Sequence, residues 1–308
     1  MTAAGTSDFA ALAELSQRLS RCPDLDTLLN VALGALDELF GYEHAVIMLL
    51  DDDGQRLYTI ASHGYDTQGI GSELRLGEGA IGMAAARVAP MRISNLRQML
   101  KYSRSARRSY EQEGGAPAAE IPLPGLADAQ SQLAVPAVAL GQLVGVLGVE
   151  SRAMLAFSES DQDRLTVVAT LLANAIEIDL AQERSATPAD AVAGGIAVDA
   201  DGPRTHVRFF PVDGSVFVDD DYLIRGVAGR ILWLLLREYC ADGRVEFTNR
   251  ELRLDPSLEL PEFRDNLDSR LVLLKRRLDE RDAPFRIEKT GRGRFRLAVE
   301  RTPVLVDA

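Results

Sequence analysis

Apolar residues recur along this chain with two periods, and the switches between them outline its elements. Residues 8–20 and 24–40 repeat Leu12, Leu15, Leu19 and then Leu25, Leu28, Leu29, Ala32, Leu36, Leu39 at helical spacing, with Pro23 between them and Asp24 placed to cap the second helix. Strands follow over His44–Leu50 and Arg56–Ser62, joined by Asp51-Asp52-Asp53-Gly54, a hairpin turn. SELRLGEGAIGMAAARVAP reads as a short strand, a glycine-rich turn and a short helix stopped at Pro90, with Met91–Ile93 as another strand. Asn95–Gln130 is irregular, a helix and a long loop. Ser131–Ala139 and Gln142–Ser151 alternate as two further strands. A long helix starts at Ser158 or Ser160 and repeats Leu165, Val168, Leu172, Ile176 and Leu180.

Residues 185–205 are rich in Ala, Gly, Pro and Asp and carry no apolar period, which marks a linker. As flexible coil, such a stretch spans roughly 25 Å. Beyond it, HVRFFPVDGSVFVDDDYLIRGV gives three short strands and GRILWLLLREYCADG an apolar helix ended by Gly243. Thr248 caps a short helix, TNRELRL. From Pro261 a long helix places Phe263, Leu267, Leu271, Leu274 and Leu278 on one face. Phe285, Ile287, Phe295, Leu297 and Val299 then alternate about Gly291-Arg292-Gly293, a hairpin.

Charge changes this picture in the second half. The net charge is −12, yet residues 206–308 hold 19 basic and 19 acidic residues. From Arg270 to Arg301 there are eleven Lys+Arg against five Asp+Glu. Screening acts over roughly 10 Å at ordinary salt, so a local basic helix end and hairpin decide contact with nucleic acid, whatever the net charge. No apolar run is long enough to span a membrane, so no membrane is expected, and the N-terminus lacks a basic leader. Cys22 and Cys240, the two cysteines, lie far apart and suit a reducing cytoplasm.

Three segments, LRLGEGAIGMAAARVAPMRISNL, SQLAVPAVALGQLVGVLGVES and FSESDQDRLTVVATLLANAIE, occur in the order found in GAF domains, which residues 8–184 resemble. Residues 206–301 resemble the winged helix-turn-helix output domain of OmpR/PhoB-type response regulators, with leading strands, an apolar first helix and a GRGRFRL wing. The fold class expected is therefore α+β in two domains: a six-stranded antiparallel GAF sheet with flanking helices, the 185–205 linker, and a winged helix. The resemblance implies a transcription regulator that binds double-stranded DNA under control of a sensory domain. The alternative is a signalling module whose winged helix binds a protein. Pairing of the Leu165–Leu180 helix implies a homodimer.

Candidate residues follow from these readings. Asn266, Ser269 and Arg270 are the polar positions for base readout, because the two exposed positions that usually read bases are Val272 and Leu273. Lys275, Arg276 and Arg277 at the helix end, and Arg292 and Arg294 on the wing, suit phosphate or minor-groove contact. Arg92, Asn95, Tyr102 and Tyr110 lie in a basic tract where GAF pockets form, and could hold an anionic or aromatic small-molecule ligand. Gly77, Gly79 and Gly82 match GxGxxG, but no acidic residue follows before Glu111, so a tight turn explains them better than a dinucleotide site. Asp51–Asp53 are turn residues rather than a phosphoacceptor site, since Lys101 is the lone lysine of the first domain. His44, His63 and His206 form no zinc motif, and no metal is expected. No cofactor is indicated. No GxSxG appears, and reductase chemistry would need a cysteine pair in the pocket, so the chain does not read as an enzyme.

Overall fold

A computed structural model describes residues 3–95, 121–185, 203–260 and 267–307. The chain divides into two compact units, Met1–Asp179 and Leu180–Ala308.

In the first unit, helices α1 (Ala3–Leu19) and α2 (Leu25–Phe40) precede a six-stranded sheet. Asp24 caps α2 by accepting from the Thr27 amide at 2.9 Å, and Gly41 ends it in the left-handed conformation. The strands are β1 (His44–Leu50), β2 (Arg56–His63), β3 (Glu73–Arg75), β4 (Met91–Ile93), β5 (Ser131–Ala139) and β6 (Gln142–Ser151). Their order is β3-β2-β1-β6-β5-β4, antiparallel throughout. Central β1 is buried on both faces, because helices lie on each side. Helix α2 packs on β1 and β2, and helix α3 (Gly79–Arg87) packs on β5 and β6. The closing helix α4 (Glu159–Ser185) buries Leu165, Val168, Leu172 and Ile176 inside this unit. Those four residues were expected to form a pairing stripe between copies; they belong instead to the core of their own unit. Arg164 ties α4 to the rest, bonding to Asp161 and Asp8 at 2.7 Å and to the Tyr42 hydroxyl at 2.9 Å.

The second unit holds two sheets. β7 (Arg204–Phe210), β8 (Ser215–Val218) and β9 (Asp221–Ile224) form a meander, and α5 (Gly226–Asp242) follows. Next come β10 (Glu246–Thr248), α6 (Asn249–Leu254), a 3-10 turn at Pro256–Leu258, α7 (Leu267–Glu280), β11 (Phe285–Gly291) and β12 (Arg294–Val299). The small sheet has the order β10-β12-β11. Neither β10 nor the 3-10 turn was expected from the sequence, and two bounds also differ. Arg204 and Thr205, read as linker, begin β7. Thr302–Asp307, left outside the second domain, forms β13 and pairs in parallel with β7, giving the order β13-β7-β8-β9. Helix α7 packs on α5, β9 and β11, with Leu267, Leu271, Leu274 and Leu278 buried as the apolar spacing predicts.

Candidate ligand pocket and nucleic-acid interface

On the α3 side of the first sheet, Val46 and Met48 of β1, Ala134 of β5 and Val146 of β6 meet Ile81 and Ala84 of α3 in an apolar cluster. Gly148 lets α3 come this close, because a Cβ there would lie 3.1 Å from Ile81 and 3.2 Å from Val46. The same face ends in polar residues. Strand register sets His44 opposite Glu150 and Glu150 opposite Gln132, one rung across three strands. The Glu150 carboxylate accepts from the Leu126 amide at 2.9 Å and from Gln132 Nε2 at 3.0 Å. Burial pushes its pKa up, and the bond from Leu126 only partly offsets this. Tyr65 packs against the apolar cluster and sets its ring edge-on to buried His44, with centroids 5.6 Å apart. Its hydroxyl is buried and has no hydrogen-bond partner among the described residues, and burial, with the nearby Glu150 charge, raises its pKa. Helix α3 covers the apolar residues, so the groups at this end of the face that can orient a small ligand are the Glu150 carboxyl and the Tyr65 hydroxyl.

The residues expected to line a ligand pocket fare differently. Met91 and Ile93 pack on the apolar cluster, so alternation turns Arg92 away from it, and Arg92 is exposed. Arg92 is therefore not placed to hold a ligand there. Asn95 is half-buried just past β4. Tyr102 and Tyr110 lie outside the described residues. The sequence reading passed over Tyr65, Gln132 and Glu150, and weighed His44 only as a metal ligand. The available signal was Glu150, a lone carboxylate ending an otherwise apolar run in β6.

The GxGxxG stretch is accounted for by the turn into α3. Gly77 and Gly79 have positive φ, and a Cβ on Gly82 would lie 2.5 Å from the Arg75 carbonyl oxygen. Among the described residues no three His, Cys, Asp or Glu side chains cluster as metal ligands would. Burial pushes the Cys22 and Cys240 thiols up, so neither is an activated thiolate. No helix among the described residues is long and apolar enough to cross a membrane.

In the second unit, hydrogen bonds connect the β11–β12 turn to the helices. The Asn249 amide donates to the Gly293 carbonyl at 2.9 Å. Asn249 Nδ2 bonds to buried Asp268 at the start of α7, and Arg253 Nη2 joins the same carboxylate at 2.5 Å. The turn bearing Arg292 and Arg294 is thereby fixed against the start of α6, and α6 against the start of α7. Arg292 is exposed and Arg294 half-buried. Arg296 is exposed and pairs with Glu288 at 3.3 Å.

Helix α7 corrects the readout assignment. Ser269, Arg270 and Arg277 are 2%, 7% and 5% exposed. Arg277 Nε donates to the Leu223 carbonyl at 2.8 Å and Nη1 to Glu280 at 2.7 Å, which holds α7 to β9. A guanidinium so committed cannot also take a phosphate. Packing on α5, β9 and β11 leaves Val272, Lys275, Arg276 and Asp279 as the outward stripe of α7. Asn266 lies outside the described residues. Of the residues expected to touch DNA, Lys275, Arg276, Arg292 and Arg294 therefore reach the surface.

The sequence model of the GAF domain matches residues 22–177. Among solved structures of similar fold is the GAF domain of an Acinetobacter phosphoenolpyruvate-protein phosphotransferase, 20% identical, with TM-score 0.46, covering 60% of this chain and 99% of that one. The GAF domain of the phosphotransferase from Coxiella burnetii is 20% identical, with TM-score 0.46, covering 58% and 98%. The free methionine-R-sulfoxide reductase of Neisseria meningitidis is 18% identical, with TM-score 0.46, covering 59% and 95%. No curated protein matches the chain.

Proposed function

The chain belongs to the GAF domain family, and we propose that it is a cytoplasmic regulator of transcription rather than an enzyme. In this reading the GAF unit receives a small-molecule signal and the second unit binds double-stranded DNA as a winged helix. The sensory half is supported by the GAF match and by the polar rung of His44, Glu150 and Gln132 beside the α3 face. The observation that carries the DNA-binding half is the arginine-bearing β11–β12 turn held against α6, and through Asp268 against α7. That arrangement presents Arg292 and Arg294 from a rigid turn, as phosphate or minor-groove contact needs. Base readout from α7 is confined to its outward stripe, so shape and backbone contacts carry more of the recognition.

The chain acts as a homodimer in this account. A state change in the GAF unit passes along α4 into the connector and alters how two winged helices are spaced on half-sites. The test is selection of bound duplexes from a random pool by the purified full chain. Enrichment of a motif with two half-sites is expected. Failure to retain any duplex in a mobility shift at 50 mM salt contradicts the reading. One observation favours a second reading, a winged helix that docks on a protein: Leu254 is 73% exposed at the end of α6, and Val272 sits on the outward stripe of α7.

A further inference from the structure

The polar end of the α3 face holds a carboxylate with no Lys or Arg partner among the described residues. Glu150 accepts from the Leu126 amide at 2.9 Å and from Gln132 Nε2 at 3.0 Å, and both donors are uncharged. Arg152, two residues on, is committed elsewhere. Its Nε bonds to the two Asp128 oxygens at 3.1 and 3.2 Å, and its Nη1 lies 3.4 Å from His44 Nε2. A carboxylate offers about four lone-pair sites, so Glu150 has room for further donors. The Tyr65 hydroxyl is a second acceptor beside it. That hydroxyl lies close enough for the Glu150 charge to raise its pKa, yet it bonds to no described residue. A donor shared by the two groups would satisfy both. The segments that carry this site are clamped together. A Cβ on Gly69, four residues past Tyr65, would lie 2.6 Å from the Pro124 ring and 2.8 Å from the Pro122 carbonyl oxygen, just before Leu126.

We propose that this end of the sheet binds the ammonium group of a small amine, with the Glu150 carboxylate and the Tyr65 hydroxyl both accepting from it. An ammonium carries three donors and no acceptor, which suits two acceptors side by side. A buried carboxylate without a counter-ion is disfavoured, and a cationic ligand supplies that counter-ion. An anionic ligand meets Glu150 as a like charge. An uncharged ligand can donate a hydrogen bond but leaves the charge unbalanced. The unit as a whole agrees: residues 1–179 hold 13 Lys+Arg against 23 Asp+Glu, so the surrounding field favours cations. The inference rests on the reading of the GAF unit as a small-molecule sensor and names the chemistry of its ligand.

Thermal unfolding of the full chain at neutral pH tests it with three compounds of similar shape and different charge: isopentylamine, isopentanol and isovalerate. At about 20 mM the amine is expected to raise the first-unit transition by about 3 °C, as a ligand of the folded state does. The alcohol and the acid are expected not to raise it. Glu150→Gln should abolish the amine's shift, and Tyr65→Phe should remove at least half of it. Asp66→Asn, at an exposed carboxylate next to Tyr65, should keep the shift in full. An amine shift that survives Glu150→Gln overturns the assigned site. If Glu150→Gln loses its fold, Tyr65→Phe decides in its place, and an unchanged shift there overturns the site. An amine without effect on the wild type overturns the ligand class. The sensory reading then stands if any member of a panel of nucleotides, phenols and organic acids shifts the transition, and falls as well if none does.

Discussion

Tyr65 encloses a hydroxyl with no hydrogen-bond partner among the described residues, and Glu150 holds a carboxyl in a place that disfavours its charge. Tyr65→Phe removes an unsatisfied buried group and should stabilise the protein by about 1 kcal/mol in urea unfolding. A loss of stability would mean that the hydroxyl is already satisfied. The folded pKa of Glu150 is raised above its unfolded value of about 4.3. Between the two, the folded state holds the extra proton, so stability falls as pH rises and the penalty is complete above the folded value. Glu150→Gln keeps an acceptor for the Leu126 amide and lets Gln132 turn its own amide to match. It should gain about 1 kcal/mol at pH 7, and little at pH 4, in thermal or urea melts. Neither residue stood out in the sequence, because a strand's period shows which residues share a face but not which faces are closed. Arg92 misled for the converse reason: its charge suggested a pocket, while its neighbours Met91 and Ile93 turn it outward.

At the scale of elements, the six strands of the first sheet and α2, α3 and α4 were legible because alternation and caps are local. The buried arginines of α7 were not. Five apolar residues at helical spacing mark one face, and nothing in that pattern announces that α5, β9 and β11 enclose the polar positions beside it. The Asn249–Asp268–Arg253 set joins residues up to 19 positions apart and has no local signature. Asp268→Ala leaves Arg253 without this partner and should cost about 3 kcal/mol in chemical unfolding, as breaking other buried pairs does. An effect under about 0.5 kcal/mol would show that the set does not hold α6 to α7. β13 was missed because its partner β7 lies about a hundred residues earlier, and six residues carry too short a pattern to commit. A chain ending at Arg301 exposes the β7 edge. Its second-unit transition in calorimetry should fall by about 5–10 °C, with the first-unit transition unmoved.

For the whole molecule, charge divides the labour. The first unit carries the acidity and the second unit is balanced, and Lys275, Arg276, Arg292 and Arg294 are among the basic side chains at its surface. The GAF assignment was readable because three motifs recur in a fixed order over residues 22–177. The DNA-binding proposal was readable only as a resemblance, and α7 narrows it, since Ser269, Arg270 and Arg277 are enclosed. The DNA-binding proposal therefore rests on contact of Arg292 and Arg294 with a DNA backbone. Fluorescence anisotropy of the full chain on a labelled 30-base-pair duplex, from about 50 to 300 mM salt, tests it directly. Log affinity should fall linearly with log salt. Arg292→Ala with Arg294→Ala should weaken binding to every duplex and reduce the slope by about 0.9 per lost phosphate contact, roughly 1.8 for both. Binding with an unchanged slope in the double variant, or no binding by the wild type at the lowest salt, would contradict it.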